Sequence, residues 1–459
     1  MDAWLTEELS YCQFKDQRLE TRFKQVVSSM NKNFGKTIPE IFNDWSEVKG
    51  AYRFLSNERV DESEILHSHF LNTQNRIEAS EAPILLLHDT SEFSYKRKKP
   101  EEIGFISKKK LKSAGRDMPQ HISVCGILMH ASLAITQEGL PLGLTATKFW
   151  SRKVFKNTNE IKRHINPTRI PVNEKESVKW LNNLENSLFS LKNNASKVIN
   201  ICDREGDIYE LFSKAEQLNS NFIIRACVNR LANETTIAEE MAFSSKNFNH
   251  QIDFQNTSGE KINAKIKVFV KRLIVHPPIG KSKIYSSMPI TVVSAIENTN
   301  PKDRKRIRWT LLTNMKVDNK SAALKILDWY KLRWKIEEFF KILKSGFQLE
   351  SSKLRTADRL AKIISISCIL AWRVFWTTMM WRNSGQITTP MIVFNKIELT
   401  ILKKFFSTSN PKYLSDYIIL LAKLGGYLAR KSDPPPGNQV IWKGYGKLNE
   451  LYEGYMLAT

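Results

Sequence analysis

Two short apolar runs that each stop at an aspartate constrain this chain more than any other feature. PILLLHD ends at Asp89 and KVINICD ends at Asp203. Such runs are too short for a free-standing helix, and a polar cluster closes each one. That is the pattern of a central strand covered on both faces. Between them, HISVCGILMHASLAI and GLPLGLTATKFW read as a hairpin turning around Gln137-Glu138-Gly139. EKESVKWLNNLENSLFSL then sets Val178, Leu181, Leu184 and Leu188 on one helical side. After Asp203 come the helical DIYELFSKAEQL and the strand NFIIRACV. Buried strands mixed with crossing helices predict an α/β core, a mixed sheet flanked by helices.

The flanks have a different texture. Residues 1–70 read as a helical domain, in which Leu19, Phe23, Val26 and Val27 form an apolar stripe and Arg18, Arg22 and Lys24 lie off it. Basic side chains on the outer face of a small helical unit suit phosphate contacts, although a solvated helix has the same pattern. Residues 71–384 hold the core, interrupted at about 230–320 by a β-rich insertion. There KINAKIKVFVKRLIV and MPITVVSAIEN alternate in period two and RIRWTLLTNM adds a strand. The next long helix begins near Ser321, and residues 385–459 form a helical C-terminal region. IISISCILAWRVFWTTMMW is apolar enough to raise the question of a membrane span, but Arg373 within it and Lys362 before it favour a buried core helix.

Charge narrows the partner. Seventy Lys and Arg stand against 47 Asp and Glu, a formal net charge of +23. An excess of this size fits a polyanion held by many phosphate contacts; a lysine-rich proteome would raise the charge in the same way. Cys12, Cys125, Cys202, Cys227 and Cys368 show no CxxC or CxxH spacing, which argues against zinc and a disulfide framework and for a reducing cytosol. The acidic start, MDAWLTEELSYCQF, has no apolar signal core.

Chemistry concentrates in YKLRWKIEEFFKILK. Tyr330, Arg333, Glu337 and Lys344 fall within an arc of roughly 60° if the segment is one helix. A phenol, a guanidinium and an ammonium around one acid suit a phosphate backbone plus a metal; an i,i+4 salt-bridge ladder would use the same spacing. Trp334, Phe339, Phe340 and Leu343 are expected to cover the core. Asp89 and Asp203 end strands, where carboxylates can converge on a metal, initiate a turn or cap a helix. His88 is expected to face the other side of its strand, Asp207 to decorate a helix start, and Glu338 to point away from Tyr330. Glu205 remains a rival acid. The order Asp89, Asp203, Glu337 places two strand-end aspartates ahead of a helical glutamate.

With that order in view, the chain resembles the DDE transposases of the IS4 class. The motifs that carry the likeness are GAYRFL (50–55), HDTSEFSY (88–95), EKESVKW (174–180), CDREGDIY (202–209) and RWTLLT (308–313). The Y-x2-R-x3-E-x6-K signature at Tyr330, Arg333, Glu337 and Lys344 follows, and WKGYGKLNELYEGYMLA resembles the family's closing segment. The resemblance implies an RNase H-like catalytic core, an N-terminal domain for transposon-end DNA and a C-terminal dimerisation region. It implies that Asp89, Asp203 and Glu337 bind two Mg2+ ions, with Mn2+ able to substitute, and that Tyr330, Arg333 and Lys344 bind phosphates. Trp309 falls on the family's base-stacking aromatic; a core tryptophan is the plainer reading. The implied activity is cut-and-paste transposition through a DNA hairpin, by a homodimer on transposon ends and target DNA, in the bacterial cytosol at the nucleoid.

One departure stands out. Relatives tend to show Gly-Asp-x-Arg-Arg where this chain has Lys15-Asp16-Gln17-Arg18-Leu19, with Arg22 kept. The end sequence recognised is therefore not transferable. A catalytically silent DNA-binding relative and a different metal-dependent nuclease of RNase H-like fold are the alternatives.

Overall fold

The computed structural model describes residues 3–42, 44–110, 121–153, 170–244, 247–255, 261–383 and 389–458. In chain order, α1 (Ala3–Glu8), α2 (Gln17–Lys32), α3 (Ile38–Ile41), α4 (Trp45–Leu55) and α5 (Glu62–Glu78) precede β1 (Ile84–Ser94). Then come β2 (Phe105–Lys110), β3 (His121–Ile135), β4 (Pro141–Trp150), α6 (Val178–Ser190), β5 (Val198–Cys202), α7 (Tyr209–Gln217) and β6 (Asn221–Arg225). The β-rich region holds β7 (Leu231–Ala232), β8 (Thr235–Thr236), α8 (Ile237–Ala242), β9 (Asn247–Gln255), β10 (Lys261–Val275), β11 (Met288–Glu297) and β12 (Arg308–Thr313). Helices α9 (Lys320–Lys331), α10 (Trp334–Gly346), α11 (Ala357–Asn383), α12 (Lys396–Phe405), α13 (Leu414–Leu424) and α14 (Asn438–Ala458) close the chain.

The chain divides into two compact units. One comprises Glu81–Asp89 and Lys156–Lys335. In it the first half of β1 runs parallel to β5, with Ile84 opposite Val198 and His88 opposite Cys202, and β5 runs parallel to β6. Every residue of β5 is buried, as both-face coverage requires. The β-rich region does not stand apart from this sheet: β12 pairs antiparallel with β6, β11 with β12, β10 with β11 and β9 with β10. This is the mixed sheet flanked by helices expected of an RNase H-like core. The first part of β10 alternates as the period-two pattern predicts, with Ala264, Ile266 and Val268 buried, and the alternation shifts by one residue before the buried Leu273 and Val275. Among its cations, Lys271 pairs with Glu240 and Arg272 donates to Thr291 Oγ1.

The other unit comprises Met1–Ser80, Thr90–Phe155 and Ile336–Thr459. Phe14, Phe23 and Phe54 form a mutual ring cluster at centroid separations of 5.2–6.0 Å, which packs α2 against α4. The β3–β4 hairpin turns at the expected place and lies against α5 and α11. Helix α11 is the long apolar segment, and 94% of its most apolar window is buried within the protein. Its hydroxyls bond back to the preceding turn, Ser365 to Ala361 O and Ser367 to Ile363 O, so these hydroxyls need no water.

Candidate functional site

Parallel pairing of β1 with β5 decides the geometry. With His88 level with Cys202, the next residue on each segment is an aspartate. Strand β1 runs on to Ser94, so Asp89 lies within its strand and not at its end as its apolar run suggested, but it stands beside Asp203 where the parallel pairing stops, at the carboxyl end of β5. That is where ligands bind on open α/β sheets. The thiol of Cys202 registers both: burial pushes it well above its usual range, the carboxylates of Asp203 and Asp89 push it further, and Arg333 opposes them. Asp203 Oδ1 also accepts from the Glu205 amide at 2.8 Å, so the turn-initiating role and the site role coexist in one residue. Gly206 belongs to the same turn, where an added Cβ would lie 2.5 Å from Cys202 Cβ.

Arg333 faces Asp89. Its Nη1 lies 3.2 Å from Asp89 Oδ2, and both side chains are largely buried. The face of its guanidinium covers the Trp334 ring at 4.8 Å. Tyr330 is buried; burial raises its phenol, while Arg333 and a hydrogen-bonded Arg225 hold it down. Trp309 meets the Tyr330 ring edge-on at 5.5 Å, which sets this half-buried tryptophan among cations. Two carboxylates, two guanidiniums, a phenol and an indole thus share one unit.

Several expectations need correction. Tyr330, Arg333, Glu337 and Lys344 do not share one helix: α9 ends at Lys331 and α10 begins at Trp334. The join is a tightened turn, with Leu332 N bonding to Trp329 O and Arg333 N to Tyr330 O. Each i→i+3 bond advances the chain by more than 100° per residue, so the arc drawn for one continuous helix does not carry across. Trp334 is 57% exposed and does not cover the core, whereas Phe339, Phe340 and Leu343 are buried. Asp207 is no helix decoration. It is buried, pairs with Arg230 at 2.6 Å, and accepts from the amides of Cys227 and Val228.

Glu337 and Lys344 belong to the other unit. Seven residues apart on α10, they share a face; Glu337 is in the first turn, and the Lys344 ammonium lies 5.4 Å from the Phe93 ring centroid. Glu338 sits 3.7 Å from Arg382. Among the described residues no three His, Cys, Asp or Glu side chains form a group able to hold a metal. Two of the three carboxylates are therefore brought together, and they are hard oxygen donors of the kind a divalent cation takes. The rival Glu205 is an exposed acid held by Lys179 at 3.2 Å. His88 is buried against Asn200, its imidazole lowered to about 4 by burial despite that hydrogen bond.

In the N-terminal helices the Arg18 side chain is 95% exposed and only loosely held by Asp16 at 3.9 Å. Arg22 lies over Gly50, where an added Cβ would be 2.7 Å from its guanidinium carbon, so Gly50 is the residue that makes room for it. Lys24 is paired with Glu20. Sequence reasoning missed Arg225. It ends β6, as Asp203 directly follows the end of β5, and a cation at the end of the next apolar run was the available signal.

Two family models match this chain. Residues 1–60 match a transposase DNA-binding family and residues 180–373 match a transposase DDE domain family. The matches support a DDE transposase. The DDE match includes Asp203, Arg225, Trp309, Tyr330, Arg333, Glu337 and Lys344, and the DNA-binding match includes Arg18, Arg22 and Gly50. Asp89 lies before the DDE match and enters the site through the β1–β5 register alone. These domains support DNA as the partner and a nuclease or transposase as the class of enzyme.

Proposed function

We propose that the chain is a cut-and-paste transposase of the IS4 class, closest in kind to the Tn5 (IS50) transposase. It cuts transposon ends through a DNA hairpin and joins the freed 3′-OH to target DNA. The observation that carries this reading is the adjacency of Asp89 and Asp203, faced by Arg333, in a chain whose matches are to transposase DNA-binding and DDE domains. Asp89, Asp203 and Glu337 are the residues that would hold two Mg2+ ions, or Mn2+ in their place. Such ions would supply Lewis-acid activation of the attacking oxygen and charge stabilisation of the leaving one.

The chain's own groups account for the rest. A guanidinium has five N–H donors, so Arg333 can keep Asp89 and still take a phosphate oxygen. Arg225 and Tyr330 offer a second cation and a hydroxyl beside it, and Lys344 supplies an ammonium from α10. Trp309 offers a π face to an unstacked base, an interaction worth about 1–3 kcal/mol. Arg18 and Arg22 contact the transposon end, and the working assembly is a homodimer on paired ends. The catalytic domain spans 71–384, between an end-binding domain at 1–70 and a dimerisation region at 385–459.

Glu337→Gln tests the assignment. It is expected to bind a terminal-repeat duplex as the wild type does and to nick it at least ~1000-fold more slowly with Mg2+ present, the scale of several kcal/mol of lost charge stabilisation. A variant that nicks at the wild-type rate sinks the three-carboxylate site.

A further inference from the structure

Outside the site described above, a cluster of positive charge lies where two segments of one unit are stapled together. Ser94 donates from its amide and hydroxyl to Glu350 Oε1 at 2.8 and 2.9 Å. Arg97 Nη2 donates to the carbonyls of Ser352 and Leu354, and its guanidinium lies 5.1 Å from the Tyr95 ring centroid. Tyr95 and Leu354 are buried beneath it. These contacts fix residues 94–97 against 350–354 and leave a cavity of about 520 Å³ lined by Lys96, Arg97, Lys98, Lys99, Glu102, Lys353 and Arg355. Arg97 is spent on the staple and Lys99 lies 4.0 Å from Glu102. Lys96, Lys98, Lys353 and Arg355 are exposed and have no acidic partner among the described residues.

Holding like charges around one cavity is repulsive unless an anion occupies it. Phe93, whose ring lies 5.4 Å from the Lys344 ammonium, is three residues before Lys96, and three residues of chain span at most about 10 Å. Backbone phosphates follow one another at about 3.4 Å of rise per strand, so that distance is roughly three nucleotides. We propose that Lys96, Lys98, Lys353 and Arg355 form a second phosphate-backbone grip, engaging duplex DNA about three nucleotides beyond the phosphate held by Lys344. The proposal rests on the DNA reading of Lys344. The Ser94–Glu350 and Arg97–Leu354 bonds are its scaffold and make no contact with DNA.

The test is the salt dependence of binding by the full chain to a 40-base-pair mixed-sequence duplex, followed by fluorescence anisotropy. Each lost phosphate contact removes about 0.9 from the slope of log K against log salt. The quadruple change Lys96→Gln, Lys98→Gln, Lys353→Gln and Arg355→Gln is expected to reduce the magnitude of the slope by about 3.6 and the affinity at 0.1 M salt by tenfold or more. Lys353→Gln with Arg355→Gln is expected to give about half that slope change. A control variant, Lys197→Gln, Lys283→Gln, Lys302→Gln and Lys431→Gln, removes equal charge from other exposed positions and is expected to change the slope by less than about 1. Pocket and wild-type slopes that coincide, with the wild type binding steeply, overturn the pocket alone. Equal losses in pocket and control variants also overturn it. A wild type without measurable DNA affinity overturns the DNA reading and the pocket together.

Discussion

Arg333 is the most informative residue to perturb, because a stability effect and a functional effect both follow from one geometry. Its Nη1 is 3.2 Å from Asp89 Oδ2, with the two side chains 9% and 16% exposed. At an effective dielectric constant of about 20 that attraction is worth about 5 kcal/mol. Desolvation of both groups and the residual solvent access reduce the net to about 2 kcal/mol. Arg333→Met deletes the cation, keeps much of the volume, and leaves Asp89 and Asp203 side by side. Unfolding by urea at pH 7, read by tryptophan fluorescence, is expected to show a loss of about 2 kcal/mol. Asp89→Asn in the same chain should restore at least half of it, because the lone carboxylate is then gone. Mg2+ should stabilise Arg333→Met more than the wild type, since an ion can take over the neutralising role. The reasoning is refuted if Arg333→Met costs under about 0.5 kcal/mol and the double-mutant coupling is zero.

Three other outcomes follow from the same contacts. Gly50→Ala puts a methyl where Arg22 lies, so end-DNA affinity should fall several-fold while thermal stability holds or rises, alanine being about 1 kcal/mol better within a helix; parallel anisotropy and melting curves check both halves. Trp309→Ala should leave nicking largely intact and slow hairpin formation by ~10–100-fold, with a 2-aminopurine at the end reporting the unstacked base. Glu8 is buried, which raises its carboxyl, but Arg76 and His69 outweigh burial and the net shift is downward. His69 is lowered by its own burial. The unfolded chain therefore takes up protons that the fold refuses. Stability should decline as pH falls below about 6.5 and again below about 4, and Glu8→Gln should be less stable at pH 7 but flatter on the acid side.

The strands that carry the aspartates were legible because a short buried strand leaves an unmistakable apolar run. The second run ends with its strand at Cys202, whereas β1 continues past Asp89 to Ser94 because its polar second half still pairs as a strand. The adjacency of Asp89 and Asp203 was only implied, since register comes from pairing between segments more than a hundred residues apart. The break at Leu332–Arg333 was invisible: nothing in Tyr-Lys-Leu-Arg-Trp is a poor helix former, so periodicity runs through the join. Asp207 was misread because its partners, Arg230 and two amides, lie across a turn and a strand. Trp334 illustrates a different limit: residue type argues for burial, yet a neighbouring guanidinium gives its ring a partner at the surface.

The buried cations of α11 have a bearing on how this chain is sorted. By length and composition the helix could cross a bilayer. Arg373, near its middle, would cost about 2.5–3.5 kcal/mol at the membrane centre by insertion scales. In the fold the same guanidinium lies between the Trp4 and Tyr445 rings and 3.7 Å from Glu398, so the residue that deters insertion also joins both ends of the chain to the core helix. A leucine at 373 would remove a fastening and, at the same stroke, hand the translocon a segment it is built to accept.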